Sequence, residues 1–275
     1  MRTPQFTMLK PSLCMTQRKT KPRVVLSIAG YDPSSGAGVT ADVKTIVAHG
    51  CYGVTCITAL TVQSTRGVTR VEPVDAGLIS ETLERLGDDL EIAAVKIGML
   101  GAADAANAVA AFLERHAIRH VVLDPIIKSS SGAELITPDG LQILKDRLLA
   151  LATVITPNVD EAAALTGLAV GNVAEMEAAA ATLQQLGAQS VIITGGHLDP
   201  PHDLICLDGK RRVLLKGKRI ASRSTHGTGC AFSTALACAL ALEKDLLTAA
   251  RAAKRFVESA LRRAPAIGQG IGPIV

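Results

Sequence analysis

The stretch Gly227-Thr228-Gly229-Cys230 sets two glycines, a hydroxyl and a thiol at the head of a long Ala/Leu run. Glycines leave backbone N–H groups bare, and the first four N–H groups of a helix have no intrahelical partner, so such a turn offers a seat for an anion. A thiol in the first helical turn, ordinarily of pKa ~8.5, is drawn toward thiolate there. A phosphate arriving at the same helix end repels it back toward thiol. Cys230 therefore reads as a thiolate base, as a thiol that positions a substrate, or as packing behind an ordinary glycine loop.

Two further clusters carry oxygen ligands. "TPNVDE" puts Asn158 and Glu161 three residues apart on one face of a helix start. Such groups suit Mg²⁺ held partly through water, with substrate phosphates completing the shell. The same pair also reads as a capping box, with Asn at the N-cap and Glu at N3. Asp124 closes an apolar run ahead of Pro125, as a ligand or as a turn-former. The six histidines are scattered, and His226 alone adjoins the anion seat.

These groups need a frame that brings them together. The 275 residues are 48% hydrophobic but only 2% aromatic, without Trp, so the core is built from Ala, Val, Leu and Ile. That suits parallel strands covered on both faces. "RVVLSIAG", "YGVTCITALTVQS", "EIAAVKIGML", "RHVVLDP", "ATVITPN" and "SVIIT" read as strands, with Gly67 assigned to a loop. Helical spacing runs through "AGVTADVKTIVAHG", "DAGLISETLERLGDDL", "DAANAVAAFLERHA", "PDGLQILKDRLLAL", "VDEAAALTG" and "VAEMEAAAATLQQLG". Two last helices start near Thr228 and Asp245, after a hairpin turning at Asp208-Gly209. This alternation predicts a single α/β domain over residues 24–275, a three-layer α/β/α sandwich around a mostly parallel sheet. The carboxyl ends of its strands carry the Gly-, Pro- and Asp-rich clusters, where open α/β sheets bind ligands.

Charge and composition exclude several classes. Six basic and no acidic residues fall within 1–23, leaving 23 basic against 25 acidic residues, a net of −2, for the rest. Residues 1–23 read as a disordered basic extension, and the body is not a nucleic-acid surface. The longest apolar run is too short to span a bilayer, so no membrane role is expected. Six cysteines without a C-x-x-C pair argue against a disulfide framework or a zinc site and for a cytoplasmic protein. No G-x-x-x-x-G-K-[ST] is present, and "GQGIGP" follows a helix rather than a strand, which excludes a P-loop and a Rossmann fingerprint.

In order along the chain, "IAGYDPSSGAGVTAD", "ITALTVQST", "VKIGML", "DPI", "TPNVDEA", "TGGH", "THGTGC" and "AAKRFVESAL…GQGIGP" resemble the motifs of the hydroxymethylpyrimidine/phosphomethylpyrimidine kinase family of thiamin biosynthesis. The similarity spans Val24 to Pro273 and implies a ribokinase-like fold, a homodimer, and ATP with Mg²⁺ as cofactors. The implied reaction phosphorylates 4-amino-5-hydroxymethyl-2-methylpyrimidine and then its monophosphate. By the same resemblance the pyrimidine lies near Gly30, Ala37, Asp42, Gln63, Met99 and Ile126. Gln63 would pair with the ring nitrogen and amino group, and Met99 and Ile126 would be apolar walls. Asp124 and Glu161 would hold the metal, while Asn158, Thr194, Gly196, His197 and Thr228 would face the nucleotide. Gly227, Thr228 and Gly229 would form the anion hole, with Cys230 as base where most ribokinase-like sugar kinases carry Asp. Ser35, Thr40 and "IIKSSSG" depart from the family's pattern in loops around the substrate. A pyridoxal kinase of the same fold and a catalytically inactive ligand sensor remain as alternative readings.

Overall fold

Val24–Tyr31 is an unbroken apolar run because it is covered on both faces, and it forms β1. The computed structural model describes residues 21–129, 132–209 and 211–275. The basic extension expected over residues 1–23 falls, up to residue 20, outside them. After β1 come α1 (Gly38–Ala48), β2 (Tyr52–Ser64), β3 (Gly67–Pro73), α2 (Ala76–Asp89), β4 (Ile92–Ile97), α3 (Ala103–Arg115) and β5 (Val121–Leu123). The chain continues through α4 (Pro138–Ile143), a π-helical turn over Leu144–Leu148, α5 (Leu149–Leu151), β6 (Val154–Ile155), α6 (Val159–Thr166) and α7 (Val173–Gln185). It closes with β7 (Val191–Ile193), β8 (Asp203–Leu207), β9 (Arg211–Leu215), α8 (Thr228–Ala241) and α9 (Leu246–Arg263).

Among the described residues the strands make one sheet in the order β3-β2-β1-β4-β5-β6-β7-β8-β9. From β2 to β7 every pairing is parallel; β3, β8 and β9 run antiparallel at the two edges. Side chains alternate between two cores, as a strand period of two requires. Val25, Ala94, Val122, Val154 and Ile192 meet α1, α8 and α9, whereas Leu26, Val95, Leu123, Ile155 and Ile193 meet α2, α3, α6 and α7. This is the expected three-layer α/β/α sandwich.

Two local expectations are corrected. Gly67 begins a strand rather than a loop: the chain turns at Thr65-Arg66, and Val68, Thr69 and Val71 carry β3 back along β2. The helix expected over 138–151 is interrupted by its π-helical turn. Its start is as expected, with Pro138 in the first turn and Thr137 capping the Gly140 N–H. The hairpin β8–β9 turns at Asp208 and Gly209, both at positive φ.

Candidate active site

Because β1 lies between β2 and β4, successive crossovers leave it in opposite directions, which opens a crevice at the strands' carboxyl ends. A cavity of about 940 Å³ fills that crevice and extends along the edge. The sheet order fixes the order of its lining. Gly30 ends β1, Met99 follows β4, Asp124 follows β5, Asn158 follows β6, and Thr194 to His197 follow β7. Gly30 and Met99, expected at the pyrimidine, thus lie at the β1–β4 end, and Asn158, Thr194, Gly196 and His197, expected at the nucleotide, lie at the β6–β7 end, whereas Thr228, also expected there, stands at the start of α8. The start of α8 brings Gly227, Thr228, Gly229 and Cys230 to the same cavity, where Ala37, Gln63, Ile126, Gly196 and Glu161 also face. Asp42 does not.

The β1–β4 end is apolar with one polar edge. Met99 packs with Ala59 and Leu135, with Ile126 against them. Gly30 lets Met99 pack close, since a Cβ on it would stand 2.9 Å from the Met99 sulfur and push that side chain aside. Gln63 sits where the β2–β3 register shifts by a bulge, a device that re-aims a side chain.

Two glycine loops close against each other above this end. Asp32, 3% exposed, accepts hydrogen bonds from the Ser34 N–H (2.8 Å) and hydroxyl (2.7 Å) and from the N–H groups of Gly36 (3.2 Å) and Ala37 (2.9 Å). His226 Nε2 lies 2.9 Å from its Oδ2. Burial alone would raise the Asp32 carboxyl, but the hydrogen bonds from His226 and Ser34 outweigh it and hold the group below the ordinary 3.8. Gly227, at φ 83°, precedes α8, and a Cβ there would come within 1.9 Å of the Gly36 carbonyl oxygen. Only glycine permits that contact. The free N–H groups that follow, in the first turn of α8, point a positive helix end at the cavity.

Beneath the start of α8 lies a buried charge cluster. Lys96, on β4, is fully buried at the cavity floor, which it helps to line, and donates to Asp42 Oδ2 at 2.8 Å. Asp42 also accepts from Ser27 Oγ (2.6 Å) and Thr234 Oγ1 (2.7 Å). The substrate contact expected of Asp42 is therefore corrected: all three of its partners lie in the core, and it anchors Lys96. Burial pushes the Lys96 ammonium down, yet the negative groups around it, Asp42 first, leave it raised above its ordinary value. The neighbouring residue of Thr234, Ser233, donates to Asp124 Oδ2 at 2.9 Å.

Burial pushes Asp124 up from 3.8 to about 6 against the pull of Lys96, and pushes Glu161 from 4.5 to about 8, with Asp124 adding repulsion. Asn158 and Glu161 do form the reciprocal capping box, each bond 2.9 Å, and Glu161 still faces the cavity. Two buried carboxylates that repel each other are the donor set a divalent cation relieves, so these residues fit one. Among the described residues, the one group of three or more His, Cys, Asp and Glu side chains spaced to hold a metal is Glu84, Asp88 and His116, outside this cavity.

The Cys230 thiol does not show the expected thiolate character. Burial first, then the Asp124 and Asp42 carboxylates, raises it to about 12 in spite of the opposing pull of Lys96 and a hydrogen bond with the Gly38 backbone. The helix N-terminus is outweighed first by burial and then by the carboxylates nearby. At neutral pH this group is a thiol.

At the β6–β7 end, Asn158 and Thr194 are bridged through the backbone, and His197 Nδ1 meets Asp160 Oδ2 at 2.9 Å at the exposed rim. Sequence reasoning did not find Asp203, which joins Lys254 at 2.6 Å, nor Arg219, which donates to the Gly196 and Leu198 carbonyls. It also missed Asp32, Lys96, Ser233 and Thr234. The one signal available was Lys96 itself, a lone charge within the apolar run "IAAVKIGML".

The phosphomethylpyrimidine kinase family matches this chain over residues 32–275. A hydroxymethylpyrimidine/phosphomethylpyrimidine kinase from Rhizobium meliloti is 44% identical over 256 residues, covering 91% of this chain and 96% of its own. Among solved structures, the phosphomethylpyrimidine kinase of Clostridium difficile 630 is similar at 34% identity with TM-score 0.78, over 86% of this chain and 99% of that one. An ADP complex of Bacillus subtilis pyridoxal kinase, also 34% identical, gives TM-score 0.85 over 92% and 96%.

Proposed function

Because the chain belongs to the phosphomethylpyrimidine kinase family, we propose that its cavity seats the pyrimidine between Gly30, Gln63, Met99 and Ile126 and ATP toward Asn158, Thr194, Gly196 and His197. The chain is a kinase of thiamin biosynthesis with a ribokinase-like fold. It phosphorylates 4-amino-5-hydroxymethyl-2-methylpyrimidine and its monophosphate, and it uses ATP. The observation that carries the assignment of ends is the sheet order, which sets Asp124, after β5, between the two groups of residues.

Phosphoryl transfer is chiefly positioning and charge stabilisation. The free N–H groups of Thr228, Gly229 and Cys230 receive the transferring phosphoryl group at the helix N-terminus. Lys96 holds a fixed positive charge beneath it. The Cys230 thiol hydrogen-bonds the substrate hydroxyl oxygen that attacks the γ-phosphorus and fixes its direction, and the proton that hydroxyl loses leaves on the transferred phosphoryl group. Asp124 and Glu161, with Asn158 through water, would hold Mg²⁺, which neutralises polyphosphate charge when bound. A cytoplasmic homodimer completes the reading. Half-exposed Leu60 and Val62 beside edge strand β3 support the pairing of two copies.

One coupled ATP assay with the pyrimidine alcohol, its monophosphate and pyridoxal tests the substrate reading. Pyridoxal is included because of the pyridoxal kinase likeness, and a higher kcat/KM for it would overturn the assignment. Within that assay, Gln63→Ala is expected to raise the pyrimidine KM about tenfold or more, and Glu161→Gln to lower kcat and raise the ATP requirement. A Gln63→Ala enzyme with a changed ATP KM and an unchanged pyrimidine KM would reverse the two ends.

The carboxylates also set a pH dependence. Glu161 and Asp124 bind protons more tightly folded than unfolded, so their contribution to stability falls as pH rises from about 4 to about 8. Mg²⁺ must displace the Glu161 proton, so its stabilisation is expected to be larger at pH 8 than at pH 6. Thermal melts at both pH values, with and without Mg²⁺, measure this. Equal Mg²⁺-induced shifts at the two pH values would count against Glu161 as a ligand.

A further inference from the structure

His226 Nε2 has one proton and two partners. It lies 2.9 Å from Asp32 Oδ2 and 3.1 Å from Gln63 Nε2. Asp32 already accepts from the Ser34 N–H and hydroxyl and from two further backbone N–H groups. A side chain serving that many donors is a carboxylate, so the Nε2 proton belongs to the Asp32 bond. Toward Gln63 the imidazole then presents an N–H to an NH₂, donor against donor.

Turning the Gln63 amide by 180° exchanges its oxygen and nitrogen within the same plane and removes the conflict. The oxygen then shares the Nε2 proton. The NH₂ takes the place that lies 3.1 Å from Thr61 Oγ1. Thr61 is free to accept there, because its own proton goes to the Tyr31 carbonyl at 2.9 Å. Each contact in the chain from Tyr31 to Asp32 then joins a donor to an acceptor.

Gln63 keeps one oxygen lone pair, on the His226 side, and one N–H, on the Thr61 side. Together they complement an exocyclic amino group beside an unprotonated ring nitrogen. A 4-oxo ring presents the opposite pair, a carbonyl beside a ring N–H, and in the same pose meets acceptor with acceptor and donor with donor. An unrestrained amide would simply turn over and take either ring. We infer that His226, held by Asp32, is a specificity-determining residue that acts with Thr61 to lock the Gln63 amide in the orientation accepting a 4-aminopyrimidine and rejecting a 4-oxopyrimidine. This rests on the reading of Gln63 as the pyrimidine contact.

The test compares kcat/KM for 4-amino-5-hydroxymethyl-2-methylpyrimidine with that for its 4-oxo counterpart, with thermal melts alongside. The native chain is expected to favour the amino ring by about a hundredfold, and His226→Leu to shrink that ratio at least about tenfold, largely by gaining on the oxo ring. His226→Gln, which keeps an N–H for each partner, retains most of the ratio. Thr61→Val releases the other end of the amide and is expected to shrink the ratio too; it decides the matter if His226→Leu does not fold. A purely structural role lowers both substrates alike, so an unchanged ratio in a folded His226→Leu chain, or in Thr61→Val if that alone folds, overturns the inference. Gln63→Leu separates the underlying reading: if it leaves the amino-ring KM unchanged, Gln63 does not touch the pyrimidine, and both readings fall.

Discussion

Lys96→Met is expected to destabilise the fold by about 3–5 kcal/mol, the range for removing one partner of a buried ion pair. The methionine fills nearly the same space, so the loss is electrostatic. Asp42 would remain fully buried as a carboxylate with only the hydroxyls of Ser27 and Thr234 to serve it. That cost is a large share of the 5–15 kcal/mol, roughly, by which a domain is stable. Urea unfolding measures it directly. Adding Asp42→Asn to Lys96→Met removes the stranded charge and is expected to recover part of the loss, so the double-mutant cycle should show strong coupling. A Lys96→Met chain within about 1 kcal/mol of the parent would mean that the pair contributes little more than an exposed one.

The second large effect is expected at Cys230, and its sign separates two mechanisms. With the thiol raised to about 12 by burial and by the carboxylates nearby, a neutral hydrogen-bonding group is what the site holds at pH 7. Cys230→Ser preserves that, so kcat should stay within about tenfold, with an unchanged pH profile. Cys230→Asp buries another carboxylate beside Asp124, and kcat should fall by about 10² or more together with the melting temperature. A thiolate base requires the reverse order: serine losing ~10²–10⁴ in kcat and aspartate recovering part of it. Measured kcat for both variants, normalised to folded protein, decides between them.

The alternation of apolar strands and amphipathic helices made the three-layer architecture legible in the sequence, because burial on both faces leaves a continuous Val/Ile/Leu signature. Most of the site was legible for a related reason. Glycines and polar residues follow the strands, and parallel topology gathers all those ends on one edge, so Gly30, Gln63, Met99, Asp124, Asn158 and Gly227 to Cys230 meet in one cavity. β3 was hidden by Gly67, whose local preference for a loop yields to pairing with β2.

What the sequence by itself determined, then, is the layer order and the set of strand-end and helix-start residues that line one cavity, since each follows from local pattern and topology. Only the tertiary structure decided their charge states and partners. Asp42 stands on α1 but finds its partners on β1, β4 and α8; Asp32 and His226 are 194 positions apart and bond across two loops. The proton on Cys230 depends first on its burial and then on the charges of Lys96, Asp124 and Asp42 around it, all set by the fold. Helix periodicity and turn chemistry act over a few residues and leave a trace in the chain. Desolvation and Coulomb interactions act through space, and their sign is fixed only when the fold has chosen the neighbours.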